Sequence, residues 1–145
     1  MTLLALGRPF WPLFLHVFGA MSLFGATATA ALLAWAAWRR PVPVLARSTF
    51  WSLLLVALPA WVIMRADGQW IYSNEGFSGD NDPSWLGIGF TVADIGLIVL
   101  LVSTGLAYWW QRSGNAVAAR VVAGLTTLYL AALVVAWLAM SAKWN

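Results

Sequence analysis

Two side chains sit where ionisable groups are costly: His16 and Asp94, each inside a long apolar run. A carboxylate near the centre of a bilayer costs about 2.5 kcal/mol or more, so such groups turn inward and find partners. An imidazole and a carboxylate together can exchange a proton as acid and base, relay protons along a path, or contribute to a metal site. Counted along a helix, His16 lies about 9 Å from Phe10 and Asp94 about 13 Å from Trp85. Both runs travel in the same direction through the membrane, so the two side chains share a depth. That predicts a His16–Asp94 pair. The same pair reads equally well as a structural hydrogen-bonded clasp.

Other groups cluster at that level. Arg65 ends the second apolar run, and Glu75, Asp80 and Asp82 follow on the one polar stretch. With Trp61, Trp70 and Trp85 above them, they predict a polar pocket open to the outer face. The alternative is that Arg65 snorkels to headgroups and the acids are solvated. Thr91, Thr104, Thr126 and Thr127 are expected to bond back to their own helices.

Several chemistries are argued down by count and spacing. The chain has a single histidine and no cysteine, so bis-His haem is excluded within one chain and thiolate metal sites are absent. A homodimer sharing two His16, or His16 with Met21 or Met64, would be needed for haem; no cofactor is named by the sequence. Zinc on His16, Asp94 and a loop acid has no supporting motif. Asp80-Asn81-Asp82 lacks the Gly and distal Glu of an EF-hand loop. There is no P-loop, dinucleotide fingerprint, nucleophile elbow or HExxH. Ser73 and Ser84 lie on the right side for a hydrolase, yet nothing selects them.

The elements that must position these residues are membrane helices. Of the 145 residues, 62% are hydrophobic and 9% charged, against about 25% charged in soluble domains. The spacing of charges and turn residues predicts an all-α, four-helix antiparallel bundle in one domain, with helices at about 10–38, 48–65, 85–110 and 118–141 and an outer loop at 66–84. Arg40-Pro41-Val42-Pro43 stops the first helix, and Pro59 is expected to kink the second. The first run is too long for a signal peptide and lacks a basic leader, so cleavage is not expected. Small residues recur every four positions at Ser22, Ala26, Ala30 and Ala34, and again at Ala119, Ala123, Thr127 and Ala131, which lets helices approach closely.

Charge sets the orientation. Arg39, Arg40, Arg47, Arg112 and Arg120 fall at one set of turns without an acid among them. The positive-inside rule places that side in the cytoplasm, with both termini and the acidic loop outside. The tryptophans form two belts: Trp35, Trp38, Trp51, Trp109 and Trp110 inside, Trp11, Trp61, Trp70, Trp85, Trp137 and Trp144 outside. The net charge of +3 is dispersed and offers no nucleic-acid footprint.

The run Leu15-His16-Val17-Phe18-Gly19-Ala20, followed by Phe24-Gly25, resembles the first helix of small bacterial four-helix integral membrane proteins of unknown function. The stretch from Ala60-Trp61 to Gly76, with Gln69-Trp70-Ile71 and Glu75-Gly76, resembles them too. A similar His-Gly signature opens the copper-resistance D type membrane domain. The first resemblance implies a fold in the bacterial cytoplasmic membrane; the second implies metal handling by analogy.

Together these observations predict a non-catalytic membrane protein, an accessory subunit or small binding module working through His16, Asp94, Arg65, Glu75 and Trp70. Its partners would be the lipid bilayer and a larger complex or further copies of itself. The alternatives are a proton- or metal-coupled transporter using a His16/Asp94 relay, or a membrane enzyme using the same pair.

Overall fold

The computed structural model describes residues 10–77, 79 and 82–142. All its regular structure is helical: α1 (Phe10–Arg39), α2 (Pro43–Ser52), a π turn (Leu53–Ala57), α3 (Leu58–Asn74), α4 (Ser84–Ser113) and α5 (Ala116–Ala142). α2, the π turn and α3 form one continuous span, giving four helices of 27 to 32 residues that are long and apolar enough to cross a membrane. The fold is the expected four-helix bundle. Its surface is apolar, with Leu32, Met21 and Leu128 all about 70% exposed, as suits an integral membrane protein in contact with lipid.

The second helix differs from its predicted limits of 48–65 at both ends. It starts earlier because Pro43 opens it rather than blocking it. A proline suits the first helical position, where its missing N–H is not needed, and Val42 before it is extended. It ends later because Gly68 and the polar residues around it do not break it. Arg65 donates to Gln69 one turn on, and Ser73 Oγ donates to the Gln69 carbonyl. The stop comes where the Glu75 N–H meets Ile71 O and Gly76 takes a left-handed φ of 78°. The loop of 66–84 thereby shrinks to the segment between Asn74 and Ser84.

Pro59 is absorbed rather than left as a break. Its ring cannot donate to Leu55 O and would press against that carbonyl. The turn just before it widens to π geometry, with the Leu58 N–H on Leu53 O, five residues back. The tight turn between α4 and α5 is built as expected: Gly114 is left-handed, and Asn115 Oδ1 accepts from the Val117 and Ala118 N–H groups.

Around the bundle the order is α1, then α2–α3, then α4, then α5, closing back onto α1. α3 and α4 touch least among these neighbours. The end carrying Arg39, Arg47, Arg112 and Arg120 is here the arginine end; the end with Phe10, Asn74, Ser84 and Ala142 is the loop end. From mid-span to the arginine end the core is tight. Leu23, Leu53, Leu100 and Val122 are fully buried, with Ala30, Ala34, Ala107 and Ala118 between them. Thr27, Thr49, Thr104, Thr126 and Thr127 return their hydroxyls to carbonyls four residues back. Trp35 Nε1 also donates to Thr127 Oγ1 across α1 and α5.

Candidate functional site

His16 stands on the α1 face that meets α3. Three residues on, Gly19 lets the two backbones approach: a Cβ there would lie 2.8 Å from the Met64 amide nitrogen and 3.0 Å from Ala60 O. That approach brings His16 Nδ1 to 2.8 Å from the Met64 carbonyl oxygen. A carbonyl only accepts, so Nδ1 carries the proton and donates. The ring rests on Gly68, where a Cβ would come within 3.2 Å of Cε1 and 3.3 Å of Nδ1. Gly68 is thus the position that gives the imidazole its room.

Asp94 does not pair with His16. Its carboxylate accepts from Arg65 Nε at 3.0 Å. Arg65 also donates from Nη1 to Gln69 Oε1 at 3.0 Å and lies 4.7 Å from the Phe90 ring centroid. Equal depth along the helices places His16 and Asp94 on one level but does not fix their direction around the bundle. α1 and α4 lie across the bundle from each other, and α3 places Arg65 beside α4. The Asp94 side chain is 58% exposed on the outer surface of the α3–α4 seam, whereas Arg65 is 26% exposed. A proton relay or shared metal site through His16 and Asp94 has no geometric basis here. Among the described residues, no group of three His, Asp or Glu side chains converges on a metal-sized space.

A cavity of about 640 Å3 opens between the loop-end halves of the four spans. Small residues are among its lining: Gly68 on α3, Gly89 and Ala93 on α4, Ala136 on α5. His16, Arg65 and Glu75 contribute to its lining, and most of the rest is apolar. Such a volume and such walls are typical of small-molecule sites. Arg65, Tyr72, Leu86 and Phe90 also line a shallower pocket of about 360 Å3 beside Gln69 and Asp82. These four side chains are therefore a partition within the α3–α4 seam.

An aromatic group closes the loop end. Tyr72 stacks on Phe77 at 5.7 Å between ring centroids and meets Phe90 edge-on at 5.5 Å, while Phe77 meets Trp85 at 6.4 Å. The Tyr72 hydroxyl donates to Asp82 Oδ2, and the Gly79 N–H donates to Asp82 Oδ1. Asp82 ties the loop to α3 and is not simply solvated. Of the three expected roof tryptophans, only Trp85 lines the cavity. Trp70 is half-exposed and outside the lining. Trp61 is outside the lining too; it donates from Nε1 to Ala93 O at 2.7 Å, pinning α3 to α4. Ser73 is engaged with its own helix. Asp80, Arg8, Lys143 and Trp144 lie outside the described residues.

One buried acid was not anticipated. Asp67 is only 7% exposed, on the same face as Ala60 and Met64, which meets α1. Read as part of a loop, it gave no signal. The helical spacing Ala60, Met64, Asp67 was the pattern that places it.

No family model, no curated protein and no solved structure matches the chain.

Proposed function

We propose that this integral membrane protein is a non-catalytic binding module, working alone or as an accessory subunit, and that its site is the loop-end cavity. The supporting observation is a mostly apolar chamber of about 640 Å3 in the loop-end half, set against an arginine-end half where Leu23, Leu53, Leu100 and Val122 are fully buried. Ala93 and Ala136 line this space with small side chains, while Gly68 and Gly89 make room for His16 and Met140 at its walls. The reading includes a bacterial cytoplasmic membrane with the loop end outward, on the strength of the five arginines at the other end. It also keeps the kinship with small bacterial four-helix membrane proteins, which contributes a fold and no mechanism. Transport through a His16/Asp94 relay is the weaker reading, because those side chains bond to Met64 and Arg65 instead.

Native mass spectrometry of the gently solubilised chain tests this. A small molecule should travel with the wild-type protein. Ala136→Phe, which fills the cavity, should release it while the helical circular dichroism is unchanged. Retention of the molecule by the filled variant, or its absence from the wild type, contradicts the proposal. An accessory subunit should in addition co-purify with a larger complex.

A further inference from the structure

The state of His16 says what kind of molecule the cavity would take. Its Nδ1 is bound to the Met64 carbonyl at 2.8 Å and therefore holds the proton. The Nδ1–Cε1 edge of the ring lies against Gly68, so the imidazole is held on α3 by an edge that no side chain disturbs. In the neutral ring the other nitrogen, Nε2, is then a bare lone pair: an acceptor and not a donor. Among the described residues Nε2 meets no hydrogen-bond donor, and His16 lines the cavity.

Of the other polar groups in the lining, Glu75 is also an acceptor, but it stands seven residues beyond Gly68 at the end of α3, about 10 Å further along the helix, and has an interaction of its own. Arg65 is engaged by Asp94, Gln69 and the Phe90 face. The Tyr72 hydroxyl gives its one proton to Asp82, so its oxygen is held at the loop beside Asp82. Gly68, Ala93, Leu133, Ala136 and Met140 supply no side-chain polar atom.

We infer that the cavity binds an apolar molecule bearing a hydroxyl-type hydrogen-bond donor, with the apolar body among α1, α4 and α5 and the hydroxyl on His16 Nε2. This rests on the cavity being a binding site. It adds the chemistry of the head group: an alcohol or phenol is accepted, and an ether, ester or ketone of the same shape is disfavoured. A molecule with only acceptors would set two lone pairs against each other in an apolar space, which carries the full cost of an unmade hydrogen bond.

Two probes of matched shape separate the outcomes: para-nonylphenol, which donates, and para-nonylanisole, in which a methyl group replaces that proton. Binding to the full chain in lipid nanodiscs is measured against empty nanodiscs to remove partitioning. The phenol should bind about tenfold more tightly than the anisole. The single histidine of the chain gives one imidazole in a 15N-histidine sample. Its Nε2 resonance should be that of an unprotonated nitrogen and should move when the phenol is added, with Nδ1 little changed. His16→Phe should bring the two affinities together while the anisole still binds. Equal affinities in the wild type, or a proton on Nε2 at rest, overturn the inference and leave the cavity reading standing. Failure of both probes to bind overturns both.

Discussion

The two halves of the bundle are made from the same kinds of helix and do opposite things. Toward the arginine end, Leu23, Leu53, Leu100 and Val122 meet with no exposure, and small residues bring the backbones together around them. Toward the loop end the small residues are still present, at Gly68, Gly89, Ala93 and Ala136, but α3 and α4 are held by longer side chains: Arg65, Tyr72 and Phe90. Small residues close a bundle when the facing helix can advance into them. They leave a cavity when something else props that helix away. In the loop-end half the prop is the α3–α4 partition, fixed by the Arg65–Asp94 ion pair and by Tyr72 on Asp82.

The largest effect should come where the two halves join. Gly19→Leu would drive a side chain into the backbone of Ala60 and Met64 and should destabilise the fold by about 3 kcal/mol, read as a fall in the midpoint of denaturant unfolding in micelles. Next comes a pair of leucines. Leu100→Ala opens a void in solid packing and should cost about 2 kcal/mol; this is the low end of the usual range, because lipid leaves mainly the packing part of the loss. Leu133→Ala enlarges space that is already there and should cost less than about half of that. Equal losses at both positions would erase the distinction between the halves.

Asp94→Asn removes the exposed ion pair and should change stability by less than about 1 kcal/mol. Its effect is on the seam. Spin labels at Gln69→Cys and Gly87→Cys should show a broader distance distribution, while labels at Ser48→Cys and Arg112→Cys, on α2 and α4, should not change. The smallest effect is Gly68→Ala. The helix gains a residue of better propensity and loses the close rest of the imidazole, so stability should barely move. The 15N signal of His16 should shift all the same, since the added methyl pushes on Cε1 and Nδ1.

Much of the fold was legible because the signals were long. Uninterrupted apolar runs, arginine-rich turns and a Gly114-Asn115 turn are set by many residues at once or by strong local chemistry. The second span was misjudged at both ends because single residues stand there with two meanings. Pro43 reads as a stop but acts as a helix start, and the polar run from 66 reads as a loop but continues the helix, with Gly68 as the seat for His16. Of the five residues expected at the site, Asp94 and Trp70 do not line the cavity. His16, Arg65, Glu75 and Trp85 do come together around one space. Depth follows from counting residues, whereas direction around the bundle depends on helix order and rotation, which one sequence does not display. Asp94 therefore bonds to Arg65 and not to His16, and the Trp61 indole bonds to Ala93 O across the α3–α4 seam.

The most direct test compares four buried alanines, two in each half. The chain contains no cysteine, so single cysteines can be introduced without background. Ala93→Cys and Ala136→Cys face the cavity; Ala107→Cys and Ala123→Cys lie in the packed half. Each is exposed in nanodiscs to N-ethylmaleimide, a small uncharged reagent, and the modified fraction is followed by intact-protein mass spectrometry. Rapid modification at Ala93→Cys and Ala136→Cys with inert Ala107→Cys and Ala123→Cys is the predicted result. Comparable rates at all four positions, or protection of the cavity pair, would contradict an open chamber at the loop end.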